Sequence, residues 1–481
     1  MNLSLKNLKE PKYDRKAINF SMSNTQSNFH PFATRMSSEG LPDIVIKTFQ
    51  HYYDQLVAGE TGFIAETDIE PVESLPDAET FPERLADVGR AVLPKTVLLK
   101  LNGGLGTSMG LAQAKSLLPV KEKLSFLDII ARHAQAAQVQ LLLMNSFATQ
   151  DDSLAVLKAY PALAGDIPLD FVQHKVPKIK QSDLSPATWP SDPELEWCPP
   201  GHGDIYTALV TSGILEQLLA AGFEYASISN ADNLGAVIEP TILGYFAENN
   251  LPFMMEVADR TQADSKGGHL ARRADGQLIL REIAQCPAAD LADFQNIGRH
   301  KYFNTNNLWV HLPTLKGTLV ANDYILPLPM IRNAKTVDPR DRESTPVFQL
   351  ETAMGSAIAL FSGAQAIRVP RTRFVPVKTT NDLLVLRSDV YIRANDLHGI
   401  EVNPAHSGPL PLVNLDPDYY KLIGDMDARF PAGVPSLLAC QTLTIKGDVK
   451  FGEQVTVKGA VVLNNEGEPQ QVIADETILA G

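Results

Sequence analysis

Residues 96–110 read TVLLKLNGGLGTSMG, a β-forming aliphatic run that breaks into a loop with four glycines. That junction is where an α/β sheet binds its ligand, just beyond the carboxyl end of a strand. Glycines in such a loop permit positive φ, and the missing Cβ lets backbone N–H groups approach an anion or a base edge. Working outward from it, short β-rich runs alternate with helical ones from Thr96 to about Arg393: TVLLKLN, then FLDIIARHAQAAQ, then QLLLMNS. Further strands are expected at EYASISNAD, LPFMMEVADR and FNTNNLWVHL. This alternation is the signature of an α/β sheet.

Two familiar phosphate loops fail on spacing. A Walker A loop needs Lys directly after its last glycine, whereas Gly110 is followed by Leu111 and the first Lys downstream is Lys115. A dinucleotide fingerprint needs GxGxxG, and Gly104, Gly106 and Gly110 give GxGxxxG. A turn without a ligand would explain an isolated glycine-rich stretch, but Lys115 lies close enough to reach whatever the loop holds.

At 481 residues the chain exceeds what one core usually serves. Residues 1–35 are polar and aperiodic and are expected to form a flexible arm. Residues 36–92 carry the helical spacing of LPDIVIKTFQHYYDQL, residues 93–395 form the α/β unit, and residues 396–481 change character. There LTIKGD, VKFGEQ and VTVKGA return an aliphatic residue in near six-residue units, the pattern of a short β-helix, with two plain hairpins as the alternative. Its coils offer an edge on which a second copy could stack, or they simply finish the fold.

Lys and Arg number 42 against 56 Asp and Glu, a formal net charge of -14. That is the wrong sign for coating nucleic acid or an anionic membrane, so an anionic ligand needs a local basic pocket. Cys198, Cys286 and Cys440 are far apart and odd in number, which supports neither a disulfide framework nor a thiolate zinc site. With no signal-like N-terminus and no apolar run of membrane-spanning length, a soluble protein of the cytoplasm is expected.

Four other segments concentrate polar chemistry. EWCPPGHGDIYTALV, residues 196–210, sets Gly201, His202 and Gly203 ahead of a helical pattern, with Asp204 read as its N-cap. YASISNADNLGA, residues 225–236, ends a strand in Asn230 and Asp232, a carboxylate placed as Mg²⁺ ligands often are; an Asx turn is the bland alternative. FNTNNLWV, residues 303–310, offers Asn306 and its neighbouring amides to sugar hydroxyls. In RFVPVKTTNDLLVLRSDVY, residues 373–391, Lys378 stands between a strand-like FVPV and a helix, either solvated or aimed at phosphates. KGGHLARR, residues 266–273, is read as a solvated hairpin.

Taken in order, KLNGGLGTSMG, LLMNSF, WCPPGHGDIY, NADNLGA, KGGHL, REIAQCP, FNTNNLWV, QLETAMG and VPVKTTNDLL resemble the eukaryotic-type UTP–glucose-1-phosphate uridylyltransferases, also called UDP-glucose pyrophosphorylases. The resemblance implies a GT-A/Rossmann-like nucleotidyltransferase core with a mixed α/β sheet and a C-terminal left-handed β-helix-like domain. It implies UTP and glucose 1-phosphate as substrates, Mg²⁺ as cofactor, and a reversible release of pyrophosphate. Position by position, it puts Leu101, Asn102, Gly103, Gly104 and Gln173 at the uridine, and Gly201 and Asn230 at the nucleotide. Lys115 and Lys378 fall at phosphates, His202 and Asn306 at the sugar phosphate, and Asp232 at the metal.

One segment departs from the family pattern: where MGCKGPKS is usual, this chain reads MGLAQAKS, keeping Lys115 but placing Ala112 where another Lys is common. A pyrophosphorylase for another UDP-sugar, or a UDP-N-acetylhexosamine enzyme, is the nearest alternative. A non-catalytic nucleotide-sugar-binding protein is the alternative of another class.

Overall fold

The computed structural model describes residues 25–394, 399–465, 467 and 469–481. It opens with helices α1 (Thr25–Ser38) and α2 (Asp43–Val57). Phe29, Phe32 and Met36 of α1 are buried in one apolar cluster with Val45, Phe49 and Tyr53 of α2. The expected arm over 1–35 is therefore corrected from Thr25 onward, because three apolar side chains at helical spacing outweigh the polar composition around them. The rest of that arm lies outside the described residues.

The quoted strand, β1 (Thr96–Asn102), is buried at every position except Leu101, as a strand covered on both faces must be. Helix α3 (Phe126–Ala137) follows, opened by a reciprocal capping pair in which Asp128 N donates to Ser125 Oγ and Ser125 N to Asp128 Oδ2. Strands β2 (Gln140–Asn145), β3 (Asp170–Val172) and β4 (Tyr225–Asn230) complete a parallel block in the order β4–β1–β2–β3. The chain steps from β1 outward through β2 to β3, then returns to the other side of β1 as β4. A crevice opens at such a reversal, beyond the carboxyl ends of the two strands. The glycine loop leaves β1 there, and Asn230 and Asp232 leave β4 there.

Strands β5 (Phe253–Asp259), β6 (His269–Arg272), β7 (Leu278–Arg281), β8 (Tyr302–His311) and β9 (Gln365–Arg368) extend the sheet. Strand β8 runs antiparallel to β4 on one side and β5 on the other, which makes the sheet mixed. Alternate residues feed two cores: Leu98, Leu141, Leu143 and Trp309 on one face, Val97, Leu99, Leu142 and Leu308 on the other.

In the C-terminal part, β10 (Leu412–Leu415), β11 (Ser436–Gly447), β13 (Thr456–Asn465) and β15 (Ile478–Ala480) form one parallel sheet, and β12 (Val449–Phe451) pairs in parallel with β14 (Gln471–Ile473). Hairpins would pair antiparallel, so this register excludes that alternative. Val413, Leu443 and Val457 join the same apolar cluster as Leu383 and Leu384 of the α/β unit. Cys198, Cys286 and Cys440 are buried and free. Among the described residues no helix is long and apolar enough to cross a membrane.

Candidate active site

Leu101, Asn102, Gly103, Gly104, Lys115, Gln173, Gly201, His202, Asn230 and Asp232 line one cavity of about 350 Å³ at the β1/β4 crevice. Asn306 and Lys378 line a second of about 360 Å³, and Asn230 and Asp232 belong to both. The fold thus brings every sequence-predicted site residue to two joined cavities.

Gly103 faces Gln173 so closely that a Cβ would meet the side-chain oxygen at 2.9 Å. The amide of Gln173 therefore lies flat against the loop, held at its own backbone by the bond from Gln173 N to Asn145 O of 2.8 Å. The Asn102 side chain is turned away from this cavity, donating to Asn145 Oδ1 and Ser153 Oγ at 2.7 Å each, so Asn102 can offer only its backbone to a ligand. Ala112, the point of departure from the family pattern, is exposed and lines neither cavity.

Across the cavity, Gly201 has φ +80°, and a Cβ there would meet Thr352 O at 2.4 Å. Only glycine fits that position. His202 Nδ1 accepts from Met354 N at 3.0 Å, which in a neutral ring leaves the proton on Nε2. Enclosure drives the ring's pKa down to about 4, so it stays neutral.

Asp204 does not cap helix α4 (Ile205–Thr211), contrary to expectation. Its carboxylate accepts instead from His174 N at 2.7 Å and lies 2.9 Å from His174 Nδ1. This clamp ties the Gly201–Asp204 turn to the residue beside Gln173, a contact between segments thirty positions apart that no local pattern announces.

Lys115 Nζ donates to Asp232 Oδ2 at 2.7 Å and also to Val377 O. The other carboxylate oxygen, Asp232 Oδ1, is buried without a hydrogen-bond partner among the described residues. No three His, Cys, Asp or Glu side chains gather to form a metal cage among those residues. A single carboxylate with an unpaired oxygen, beside a cavity that Lys115 also lines, is compatible with Mg²⁺, which takes one or two carboxylates plus phosphate and water oxygens.

The second cavity owes its shape to a bulge. Opposite the step from Glu256 to Val257, β8 carries the extra residues Thr305 and Asn306. Asn306 adopts φ +58°, its N donates to Asn304 Oδ1 at 2.9 Å, and Asn304 Nδ2 donates to its Oδ1 at 2.8 Å. A bulge re-aims the side chain it carries, here into the cavity. Beneath it, Glu256 is buried and takes two bonds from Arg373, of 2.7 and 2.8 Å, with further bonds from Trp309 Nε1 and Asn307 Nδ2. Burial pushes the Glu256 carboxyl up, but Arg373 and these donors outweigh it and hold the group ionised.

Sequence patterns missed Glu282, Asp264 and Lys266, which line this cavity as well. Burial raises the pKa of Glu282, opposed by the Lys378 charge. The KGGHLARR segment does make a hairpin, β6 with β7, yet it is not solvated throughout: His269 is fully buried and stacks on His300 at 3.8 Å. FVPV forms no strand; Pro376 makes only an isolated bridge to Asn233. Lys378 precedes helix α5 (Thr380–Arg387), whose first turn is closed by Asp382 accepting from Lys378 N and Thr379 N.

The chain is similar to known proteins along most of its length. The family model described as UTP–glucose-1-phosphate uridylyltransferase matches residues 46–458. A probable UTP–glucose-1-phosphate uridylyltransferase of Schizosaccharomyces pombe is 43% identical over 385 residues, 78% of this chain and 74% of its own. That of Solanum tuberosum is 40% identical over 399 residues, 81% of each chain. Among solved structures, a point mutant of UDP-glucose pyrophosphorylase from Leishmania major superposes with a TM-score of 0.88 at 42% identity, covering 95% of this chain and 99% of that one. Another mutant of the same protein, in complex with UDP-glucose, gives 0.87 at 43% identity over 94% and 98%.

Proposed function

Because the chain belongs to the UTP–glucose-1-phosphate uridylyltransferase family, we propose that it makes UDP-glucose and pyrophosphate, reversibly, from UTP and glucose 1-phosphate. The observation that carries this is the pairing of the glycine loop and Gln173 with Lys115 and Asp232 across the β1/β4 crevice. A base fits against the loop and the Gln173 amide, and its phosphates then fall toward Lys115.

An oxygen of the sugar phosphate attacks the α-phosphorus of UTP, and the bond to pyrophosphate breaks in line. Nucleophile and leaving group are both already anionic, so no proton has to be removed. Catalysis reduces to holding the reactants in line and neutralising charge. Lys115 exchanges Asp232 for phosphate oxygens, and Lys378 meets phosphate from the opposite wall. Neutral His202 offers its Nε2 proton as a hydrogen bond to the sugar phosphate. Asn306, with Glu282 beside it, faces the sugar hydroxyls. Asp232 would hold Mg²⁺ through its free oxygen, and the ion when bound supplies further neutralisation of the phosphates.

Several finer assignments accompany this one. The parallel C-terminal coils support a left-handed β-helix over 396–481, set against a catalytic unit of 93–395 and a helical part of 36–92. The substrates are small molecules, a cytoplasmic setting suits three free buried thiols, and the open edge at β15 is where a second copy would join.

The test is a coupled pyrophosphate-release assay with UTP, glucose 1-phosphate and Mg²⁺, run as a panel over nucleotides and sugar phosphates. Release with this pair above all others is expected. Preference for another sugar phosphate would move the assignment to another UDP-sugar, and binding of UDP-glucose without any release would make the chain a sensor.

A further inference from the structure

Lys100 stands in the middle of the central sheet, on β1, with 2% of its surface exposed. An ammonium there is costly: burial pulls its pKa down to about 7, the Arg373 charge pulls the same way, and Glu256 and Asp232 oppose them. A buried ammonium is retained only where its donors are taken up, so packing alone gives no reason for a lysine at this position.

Its hydrogen bonds give one. Lys100 Nζ donates to Ser229 Oγ on β4 and to Ala236 O, each at 2.7 Å. Ser229 precedes, and Ala236 ends, the turn that carries Asn230 and Asp232. The same turn is braced from the other side by Asn233, whose Oδ1 accepts from Val375 N at 2.8 Å and whose Nδ2 donates to Arg373 O at 3.1 Å. Asp232 is thus held by Lys115 in front, while its turn is anchored from beneath by Lys100. A four-carbon stem ending in several donors can bridge two acceptors on separate segments; methionine fills the same space and bridges nothing.

We propose that Lys100 is a positioning residue for the metal and phosphate site: by bridging Ser229 and Ala236 it fixes the turn of residues 230–236 and with it the Asp232 carboxylate at the cavity wall. This rests on the Mg²⁺-nucleotide assignment of the site above. Lys100 touches no reactant and acts through Asp232.

The test compares Lys100→Met and Lys100→Gln with the wild type in three measurements: Tm without ligand, UTP affinity by calorimetry with and without Mg²⁺, and pyrophosphate release. For Lys100→Met, Tm falls modestly, because Ser229 Oγ and Ala236 O lose their donor, while the fold is kept and Mg²⁺-free UTP affinity stays within about threefold. The gain in UTP affinity on adding Mg²⁺ falls at least about tenfold, the scale seen when a residue orienting a metal ligand is lost. Lys100→Gln, which keeps a donor, falls between. A Mg²⁺-dependent gain within about twofold of wild type in both variants overturns the proposal. So does a collapse of Tm together with Mg²⁺-free UTP binding in both, which would leave Lys100 a core residue only. A wild type that shows no Mg²⁺-dependent gain and releases no pyrophosphate overturns the functional assignment itself, and the role of Lys100 with it.

Discussion

Lys115 and Lys378 each line one of the two joined cavities, and on the proposed mechanism they bring positive charge to the phosphates in an otherwise acidic protein. Lys115 is tied to Asp232 and Val377, while Lys378 is exposed at the rim. On that mechanism, removing either would leave phosphate charge unmatched in the transition state. Lys115→Ala and Lys378→Ala are each expected to lower turnover at least about tenfold, roughly 1.4 kcal/mol of transition-state stabilisation. Steady-state kinetics with saturating UTP checks this, and near wild-type turnover in either variant would remove that lysine from the mechanism. His202 gives a pH prediction. Its folded-state pKa, about 4, lies below the ordinary 6.5, so between those values the unfolded chain binds a proton that the folded chain does not. Stability from this group is present above about pH 6.5 and is lost as pH falls toward 4. Tm should drop across that window more steeply in wild type than in His202→Gln; parallel curves would show that the ring is not held neutral.

Between β5, β8 and the turn of Arg371–Arg373 lies an ion-paired arrangement beneath the cavity that Asn306 lines. The β8 bulge exists because Glu256 sits opposite it, with its backbone oxygen accepting from Thr305 Oγ1 at 2.7 Å and its carboxylate buried against Arg373. Breaking a buried pair leaves the surviving charge without compensation, which costs more than the pair itself contributes. Arg373→Met is therefore expected to cost about 3–5 kcal/mol, read as a lowered urea midpoint at unchanged slope. A loss below about 1 kcal/mol would mean that Glu256 is solvated or protonated in place. The FNTNNLWV pattern signalled a polar cluster before a strand, but the bulge that turns Asn306 into the cavity depends on a partner fifty residues earlier.

Across the whole molecule the C-terminal coils and the catalytic unit share one apolar cluster, and polar ties reinforce the join. Leu437 N donates to Asp389 Oδ1 at 2.9 Å, Leu415 N to Asn381 Oδ1 at 3.1 Å, and Arg387 pairs with Asp427 at 2.6 Å. A chain ending at residue 394 would expose the face of α5 that β10 now packs against. It is expected to lose its cooperative thermal transition and to be recovered mainly as aggregate; a sharp transition near the full-length Tm would show that the two parts are cored separately. The change of character near residue 396 marks where the local pattern changes, and the core runs on through it.

What the sequence determined by itself was local. Periodicity gave the alternation of strands and helices, the six-residue repeat pointed to parallel coils with hairpins as the alternative, and the motifs led to Lys115, Asp232, Asn306 and Lys378 but not to Asp264 or Glu282 on the same cavity walls. Only the tertiary structure decided what depends on partners distant in the chain. It turned the side chain of Asn102 inward to Asn145 and Ser153, made Asp204 a clamp on His174 rather than a helix cap, left Asp232 with one free oxygen, and set Lys100 beneath it. The physical reason is the same in each case. Helical and strand periods are written in neighbouring residues, whereas the satisfaction of a buried polar group is settled by whichever segment the fold brings within hydrogen-bonding distance.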